Sequence, residues 1–391
     1  MEQALVIVGG GIGGLVTALA AARSGRRVRL LEQASAFTEV GAGVQLGPNA
    51  VRLLEGWSLG AALRGVASFP ERLEVRNALT AQTLAVLPLG ARAVARYGAA
   101  YATVARADLH ALLLQAVRGH PVQLQLSTTL KWLHDGPTGV QLQTSLNQSW
   151  ATPLLIGADG LWSQVRRYLL PQEQPRATGH LAVRAMVKQS NLPEWLRSQV
   201  VTAWLGPQFH AVQYPVRGGE WLNLVIIVQG QFSGDPTSWD HRANSQELCA
   251  RLAHAHAPLL DLIHAVDDWR LWPLYDRVPM ASASEHAQGH IALLGDAAHP
   301  MRPYLAQGAG MAIEDAHQLV TSLQTYSSDV PAALAQYAQV RWQRNARVQA
   351  RAIRNGKIFH LRGPMRLGRD VSLKLLGERL LDTPWLYGYG A

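Results

Sequence analysis

The sequence predicts an α/β protein in which one discontinuous domain is interrupted by a β-rich domain and followed by C-terminal helices. Two observations predict this fold class. Three short motifs of glycine and aspartate each follow an apolar run of strand length and precede a run with helical periodicity. Between the second and third motifs the pattern changes to alternating strands separated by proline and glycine turns. A domain built from all three motifs must be discontinuous in sequence.

The first motif is a glycine-rich turn between a strand and a helix. Residues 4–8 have the pattern of a buried parallel strand, and residues 12–24 carry apolar side chains at helical spacing. Between them, Gly9, Gly11 and Gly14 fill the pattern G-x-G-x-x-G. Backbone N–H groups at the start of such a helix can bind a pyrophosphate. The alternative is a tight turn that holds no ligand.

The acid that follows the second strand strengthens the prediction of a Rossmann-like dinucleotide site. The strand at residues 27–31 ends at Glu32, whose carboxylate can accept hydrogen bonds from both hydroxyls of a ribose. An acid at this position, rather than an arginine, favours an unphosphorylated ribose. FAD or NAD therefore fits this site better than NADP.

The other two motifs and their flanks resemble the class A flavoprotein aromatic hydroxylases. Segments 157–160 (Gly-Ala-Asp-Gly) and 295–300 (Gly-Asp-Ala-Ala-His-Pro) follow the first motif in that family's order, and the resemblance spans about residues 1 to 350. Segments 41–46, 104–109 and 301–316 resemble the family's flavin-side loop, its helix-entry segment and the loop and helix under the isoalloxazine. The related types are salicylate hydroxylase, 3-hydroxybenzoate 6-hydroxylase and 6-hydroxynicotinate 3-monooxygenase. The resemblance implies FAD as cofactor and NADH or NADPH as a transient co-substrate.

The resemblance also assigns cofactor contacts outside the first motif. Asp296, just past the apolar strand 291–294, could accept a hydrogen bond from a ribityl hydroxyl, or it could cap a helix. A helix cap is likewise the alternative for Asp159, and a surface charge is the alternative for Arg106. The helix that begins at residues 308–310 can direct N–H groups and its positive dipole end at the flavin. The cofactor residues expected besides the first motif and Glu32 are Gln45, Arg106, Leu130, Asp159, Asp296, Gly308, Ala309 and Gly310.

The β-rich region offers a pair of residues for the substrate. His210 and Tyr214 lie four residues apart on a predicted strand at residues 209–216, so the two-residue period puts both on one face. Such a pair can donate, accept and exchange protons with a hydroxylated aromatic ligand. Two satisfied side chains in a half-buried sheet are the alternative. The resemblance favours the catalytic role, because the 3-hydroxybenzoate and hydroxynicotinate types carry a matching pair that faces the substrate.

Three further positions are predicted to line the substrate pocket, and they leave the substrate open. The hydroxynicotinate type has His where this chain has Gln45, and another His where Tyr304 follows Pro303. The 3-hydroxybenzoate type has Gln at the position of Pro303. Neither match is complete. Gln45, Pro303 and Tyr304 are therefore expected in the pocket of a ring that the sequence does not identify.

These motifs predict domain boundaries. The FAD-binding domain is expected to comprise residues 1–70, 96–178 and 274–330. The β-rich substrate domain is expected at residues 71–95 and 179–273, and a C-terminal helical segment at residues 331–391. Five arginines at three- and four-residue steps suggest a solvated helix face in that segment, or a docking face for the reductant or a partner subunit: Arg341, Arg344, Arg347, Arg351 and Arg354.

Composition fits a cytoplasmic enzyme. The single cysteine, Cys249, excludes an internal disulfide framework, and no signal peptide, membrane span or metal-ligand cluster is evident. The formal net charge of +9 is scattered and lacks a nucleic-acid-binding signature. We therefore expect as partners a small aromatic substrate and O₂, with no nucleic acid and no membrane, and a homodimer is possible.

The predicted activity is that of an FAD-dependent aromatic monooxygenase. As the resemblance implies, it would hydroxylate a small phenolic or hydroxylated heteroaromatic acid through a flavin C4a-hydroperoxide. A flavin-dependent dehydrogenase or reductase and an epoxidase acting on a related ring are the alternatives, as is a non-enzymatic flavin-binding module. A halogenase is disfavoured, because segment 269–273 has the wrong spacing for the Trp-x-Trp-x-Ile-Pro signature.

Overall fold

The computed structural model describes residues 4–37, 42–235 and 241–390. Packing divides the chain into two compact units, each assembled from three segments. The first unit comprises Met1–Glu39, Leu109–Arg176 and Tyr275–Ile353, and the second comprises Val40–Asp108, Ala177–Leu274 and Arg354–Ala391. Gly41, the first residue of the predicted flavin-side loop, lies outside the described residues.

Strands and helices alternate along both units. The strands are β1 (Leu5–Val8), β2 (Val28–Leu31), β3 (Gly43–Leu46), β4 (Ala67–Ser68), β5 (Arg72–Asn77), β6 (Thr83–Pro88), β7 (Ala102–Ala105), β8 (Val122–Gln125), β9 (Leu130–Gly136), β10 (Gly139–Thr144), β11 (Ser149–Thr152), β12 (Leu155–Gly157), β13 (Arg176–Lys188), β14 (Val201–Gly206), β15 (Phe209–Val216), β16 (Trp221–Gln229), β17 (His241–Ala243), β18 (Trp269–Asp276), β19 (Ala287–Gln288) and β20 (Ile291–Leu293). The helices are α1 (Ile12–Arg23), α2 (Pro48–Gly56), α3 (Gly60–Val66), α4 (Gly90–Tyr97), α5 (Arg106–Arg118), α6 (Gln164–Leu169), α7 (Ser245–Arg251), α8 (Ala257–His264), α9 (Gly308–Thr325), α10 (Val330–Phe359), α11 (Gly363–Leu376), α12 (Glu378–Leu381) and α13 (Pro384–Tyr387).

The first unit is built on a mostly parallel sheet. Its strand order is β19-β20-β12-β1-β2-β8, and every neighbouring pair from β20 to β8 is parallel. The three sequence motifs follow β1, β12 and β20, which are adjacent strands. Because carboxyl ends of parallel strands meet at one edge of a sheet, the three motifs gather there. This arrangement confirms the predicted α/β fold class.

Helices α1 and α9 of the first unit pack directly against each other, and a glycine makes the close approach possible. A Cβ added at Gly13 would lie 2.9 Å from Cδ1 of Leu294 and 3.5 Å from Cβ of Ala312. A larger residue at position 13 would press on Leu294, just before the third motif, and on Ala312 of α9.

The second unit is built on an eight-stranded sheet with the order β17-β18-β13-β16-β15-β14-β5-β6. One face packs on α7 and α8 through an apolar cluster that includes Phe209, Ala211 and Leu224. His210 and Tyr214 alternate with those residues along β15 and so point to the other face. A small antiparallel sheet of β3, β7 and β4 belongs to the same unit.

The compact units do not share the predicted domain boundaries. Residues 42–70 and 96–108, which the sequence predicted to belong to the FAD-binding domain, pack in the second unit. Gly43 of β3 donates a hydrogen bond to Asn223 of β16, and Thr103 of β7 donates one to the carbonyl of Pro215 of β15. Helix α10 contributes residues to both units. The units are defined by packing, whereas the predicted domains are defined by the ligand each would bind. The predicted domain ranges therefore stay a prediction.

The arginine row on α10 follows the expectation of a solvated face only in part. Arg347 and Arg354 are exposed, but the side chain of Arg341 is fully buried and that of Arg344 is only 15% exposed. Both pair with Glu314 of α9, at 2.7 Å from Arg341 Nη1 and 2.6 Å from Arg344 Nε. Helical spacing located the charged face but did not reveal the buried acids opposite it.

Candidate functional site

The glycine turn after β1 needs glycine for two different reasons. Gly9 adopts φ +109°, and a side chain there would overlap the carbonyl of Ala158. A side chain at Gly14 would overlap the carbonyl of Gly9. A Cβ at Gly11, by contrast, meets nothing within 4 Å. The turn is closed on the protein side and open at Gly11.

The N-terminus of α1 fits a diphosphate. No side chain caps this helix, and its first turn holds no acidic residue. Its first N–H groups are therefore left for a ligand, and they lie at the positive end of the helix dipole. The open space beside Gly11 is where that ligand would approach. These features fit the diphosphate of FAD.

Glu32 holds the turn in shape at the end of β2. Its Oε2 accepts a hydrogen bond from Gly10 N at 2.6 Å, and its Oε1 accepts one from Ala34 N at 2.8 Å. Each carboxylate oxygen has a second lone pair, so both can still accept a ribose hydroxyl. His110, which sequence reasoning missed, lies 2.8 Å from the carbonyl of Gly10 through its Nε2.

Asp159 makes the contacts of a helix cap. Its carboxylate accepts hydrogen bonds from Ser163 Oγ at 2.5 Å and from Gln164 N at 2.7 Å, at the start of α6. Burial raises the pKa of this carboxyl, and these hydrogen bonds oppose the rise. The cap that sequence analysis weighed as an alternative is thus present, and a cofactor contact for Asp159 stays a prediction.

The third motif is exposed at Asp296 and buried on either side. Asp296 lies inside a short 3-10 turn, Gly295–Ala297, and its side chain is exposed. The residue at the cap position of that turn is Leu294, so the helix-cap alternative for Asp296 is wrong. An exposed carboxylate at the carboxyl edge of the parallel sheet remains free to accept a hydroxyl.

A buried ionic network supports this motif from below. Oδ2 of Asp315 accepts hydrogen bonds from Gly295 N at 3.0 Å and pairs with His299 Nε2 at 2.5 Å, while its Oδ1 pairs with Arg341 Nε at 2.7 Å. Burial alone would raise the pKa of the Asp315 carboxyl, but His299 and Arg341 hold it well below its usual range. Asp315 therefore stays ionised and fixes the loop that carries Asp296.

The remaining predicted residues of the first unit lie at the start of α9, in the loop before it and on β9. Gly308, Ala309 and Gly310 form the first turn of α9, which no side chain caps, and a Cβ at Gly308 meets nothing within 4 Å. In the preceding loop Tyr304 is buried and Pro303 is half-buried. The side chain of Leu130 lies in an apolar cluster under the parallel sheet.

His210 and Tyr214 differ in protonation as a base and a donor should. Burial, with the neighbouring imidazoles of His360 and His180, holds the pKa of His210 well below its usual value. Burial raises the pKa of Tyr214 well above its usual value, against the opposing charge of Arg184. At neutral pH a neutral imidazole that can accept a proton and an intact phenol that can donate a hydrogen bond share one sheet face.

Arg184 of β13 lies on the same face, and sequence reasoning missed it. Arg184 pairs with Val225 of β16, and Val225 pairs with Val212 of β15. Since Val212 lies midway between His210 and Tyr214 on β15, Arg184 is in line with the gap between them. Its Nε has no hydrogen-bond partner within the described ranges, and the groups that act on its charge are Tyr214 and Arg106 rather than a carboxylate. A half-buried cation without an acid partner is suited to an anionic ligand.

Gln45 lies on β3, a short strand that packs on Tyr214 through Gly43. Gly43 N donates to Asn223 Oδ1 at 2.5 Å, and a Cβ at Gly43 would lie 2.6 Å from Cε2 of Tyr214. Two residues on, Gln45 Oε1 accepts a hydrogen bond from the hydroxyl of Tyr101 at 2.7 Å. Gly43 thus packs on Tyr214, and Gln45 lies two residues further along the same strand.

Arg106 opens α5 in the same unit as Gln45. Its backbone N–H donates to the carbonyl of Ala42 at 3.2 Å, and its side chain is half-buried. Neither its proposed approach to FAD nor the surface-charge alternative is tested by these contacts.

The described ranges hold neither a metal-ligand cluster nor a helix suited to a bilayer. The His, Cys, Asp and Glu side chains there form no group of three or more arranged to hold a metal ion. Among the helices described, none has the combined length and apolarity that a bilayer crossing requires.

Comparison with known proteins identifies the family. Residues 2–352 match the family model of the FAD binding domain. The chain is 36% identical over 388 residues to 3-hydroxybenzoate 6-hydroxylase of Klebsiella oxytoca, covering 98% of this chain and 96% of the relative. The chain belongs to the family of FAD-dependent aromatic hydroxylases. This confirms the predicted enzyme class and the predicted cofactor.

Two further proteins match most of this chain. The chain is 36% identical over 347 residues to 6-hydroxynicotinate 3-monooxygenase of Bordetella bronchiseptica, covering 88% of this chain and 89% of the relative. A solved salicylate hydroxylase substrate complex matches it with a TM-score of 0.84 and 26% identity, covering 99% of this chain and 96% of that one. The aromatic hydroxylase fold therefore extends over nearly the whole chain.

The buried histidine of the first unit predicts how the hydroxylase responds to acid. Burial lowers the pKa of His286 to about 3, against the attraction of Asp315. An unfolded histidine titrates near pH 6.5, so below that pH the unfolded chain takes up a proton that the folded chain does not. This contribution to the free energy of unfolding is complete above about pH 6.5 and is lost as the pH falls toward 3. The loss amounts to about 2 kcal/mol at pH 5.

We expect the Tm of the wild type to fall more steeply between about pH 7 and pH 5 than that of His286→Asn, measured by calorimetry. The other buried histidines are common to both proteins, so the difference isolates His286. Parallel curves for the two proteins would contradict the assignment.

Proposed function

We propose that this enzyme hydroxylates a small aromatic ring that carries both a hydroxyl group, or its heteroaromatic equivalent, and a carboxylate. NADH or NADPH would serve as reductant and O₂ as oxidant. The observation that carries this proposal is the arrangement of His210, Tyr214 and Arg184 on one sheet face. It combines a proton acceptor, a hydrogen-bond donor and a cation without an acid partner.

The spacing of the three side chains supports a ring-sized ligand. Arg184 lies two strands away from β15, about 10 Å across the sheet, in the row midway between His210 and Tyr214. The positions between them are Val225 and Val212, both half-buried. An aromatic ring resting on these valines could direct its hydroxyl toward β15 and its carboxylate toward β13.

The chemistry of the relatives agrees with this class. Hydroxybenzoate, hydroxynicotinate and salicylate, which appear in the names of the three compared proteins, are all ring acids with a hydroxyl group. Each would need a partner for an anion and a partner for a hydroxyl. The sheet face supplies both kinds.

The side chains would activate the ring, and FAD, when bound, supplies the oxygen chemistry. His210 would take the proton of the ring hydroxyl, and Tyr214 would donate a hydrogen bond to the ligand. The resulting negative charge raises electron density ortho and para to that oxygen, the positions open to an electrophile. Arg184 would hold the carboxylate and so fix which ring carbon is presented.

A substrate panel tests the proposal. The FAD-loaded enzyme would be given 3-hydroxybenzoate, salicylate and 6-hydroxynicotinate with NADH and with NADPH. Hydroxylated product would be measured by chromatography and hydrogen peroxide in parallel, because uncoupled oxidation consumes NAD(P)H without hydroxylation. We expect product from at least one acid. Peroxide without product from every acid would overturn the proposed substrate class.

Removing the proton acceptor or the donor should slow hydroxylation while FAD stays bound. For His210→Asn we expect kcat to fall by about 10²- to 10⁴-fold, the usual range for a lost general base. Tyr214→Phe removes only the hydrogen-bond donor, so its kcat should fall less. Flavin absorbance controls for cofactor content. Unchanged hydroxylation in both variants would remove the assignment.

Removing the cation should change the choice of substrate. For Arg184→Gln we expect KM for 3-hydroxybenzoate to rise by about 10- to 100-fold, the cost of a lost hydrogen bond to a charged group. The neutral analogue 3-hydroxybenzamide should be affected little, so the preference for the acid should disappear. An equal change for acid and amide would mean that Arg184 does not bind the carboxylate.

Five predictions stay proposals. They are the domain ranges, the cofactor contacts of the individual side chains, the pocket positions of Gln45, Pro303 and Tyr304, the cytoplasmic location and the homodimer.

A further inference from the structure

Three histidines form a row on the substrate-facing side of the eight-stranded sheet. His210 Nδ1 lies 2.8 Å from His360 Nε2. The ring centre of His360 is 5.0 Å from that of His210 and 5.0 Å from that of His180. His210 and His360 are buried and His180 is half-buried. The row therefore runs from the predicted base toward solvent.

The three imidazoles come from separate parts of the second unit. His210 lies on β15 and His180 on β13, where alternation puts both on the same sheet face. His360 directly follows α10. The ring of Phe359, 5.3 Å from that of His210, closes the same corner. This packing fixes His360 between the other two histidines.

We propose that His360 and His180 carry away the proton that His210 takes from the substrate hydroxyl. The inference rests on the proposed role of His210. The hydroxyl proton binds His210 Nε2, the proton on His210 Nδ1 moves along the hydrogen bond to His360 Nε2, and His360 releases a proton from Nδ1 toward His180 and water. One O–H bond breaks, one proton reaches solvent, and each imidazole is left neutral after a change of tautomer.

The electrostatics explain why the proton must move on. Burial and the neighbouring imidazoles disfavour a cation at His210, and burial, with the charges of His180 and Arg369, lowers the pKa of His360 to about 4. Arg369 pairs with Asp370 at 2.8 Å, which moderates its effect. A proton is therefore not retained on either buried ring.

A matched pair of variants separates proton transfer from positioning. Gln in place of His360 keeps a polar group that can hydrogen-bond His210 but cannot pass a proton on, whereas Phe removes both functions. His254→Gln, at an exposed position in the same unit, is the control. His180→Gln removes the exit group.

The experiment mixes the FAD-loaded enzyme with 3-hydroxybenzoate in weakly buffered solution and follows proton release with a pH indicator in a stopped-flow instrument. We expect one proton per site from the wild type and the control. Both His360 variants should slow that release and hydroxylation by about 100-fold, and His180→Gln by about 10-fold. In a third variant, His360→Ala, which leaves space for a free imidazole, added imidazole should restore part of the rate.

The outcomes are distinguishable. If His360→Gln releases its proton at the wild-type rate, His360 only positions His210 and the relay is overturned. If the wild type binds the acid without releasing a proton, the proposed role of His210 itself fails. A flat kcat against buffer imidazole in His360→Ala would also overturn the relay.

Discussion

Replacing Gly11 by aspartate should yield a folded, colourless protein. A Cβ added at Gly11 meets no protein atom within 4 Å, and Gly11 is the cap residue of α1 with φ −73° and ψ −174°. Aspartate is a preferred residue at such a cap, so the helix should be at least as stable as before. Its charge, however, would occupy the place proposed for the FAD diphosphate. We expect FAD affinity to fall by at least about 100-fold, a repulsion of a few kcal/mol in a partly buried site.

The control for charge is Gly11→Asn, which has the same size and capping ability without the charge. Flavin absorbance of the purified protein and titration of the apo form with FAD measure the effect, and circular dichroism verifies the fold. We expect Asn to lower affinity less than Asp. If the Asp variant is yellow with wild-type affinity, the diphosphate does not lie at the start of α1.

Replacing Arg341 by methionine should destabilise the protein strongly. Its guanidinium pairs with Glu314 and Asp315, and all three side chains are fully buried. Removing the cation leaves two buried carboxylates with less compensation, which typically costs about 3–5 kcal/mol. Because Asp315 also binds Gly295 N, the third motif should lose its support as well.

Urea unfolding measures this loss, and Arg354→Met provides the control at an exposed position on the same helix. We expect the control to change the free energy of unfolding by less than about 0.5 kcal/mol. If Arg341→Met folds poorly, FAD titration of the soluble fraction still reports the third motif. Equal stability of the two variants would show that the buried pairs are dispensable.

Local patterns in the sequence were sufficient for the parallel sheet and its glycine turn. The apolar run, the G-x-G-x-x-G spacing and the acid at Glu32 are all read within about thirty residues. Period-two alternation likewise predicted that His210 and Tyr214 share a face, and they do. Such inferences depend on backbone geometry alone.

Other features required the register of strands that are distant in sequence. Arg184 meets the row between His210 and Tyr214 only because β13 pairs with β16 and β16 with β15. His360 reaches His210 across 150 residues. Neither contact leaves a signal in local spacing, since an arginine in a strand and a histidine after a helix are ordinary residues.

The sequence by itself determined the fold class and the side of the sheet on which His210 and Tyr214 lie, because both follow from a repeat of two or 3.6 residues and from a turn that needs glycine. The choice of FAD over NAD came from the resemblance of the three motifs and their flanks to a known family. The tertiary structure alone decided that Arg341 is buried and Arg354 exposed, that Asp159 caps a helix, and which polar groups surround His210. Those facts depend on which element packs opposite each side chain, and packing partners lie far away along the chain.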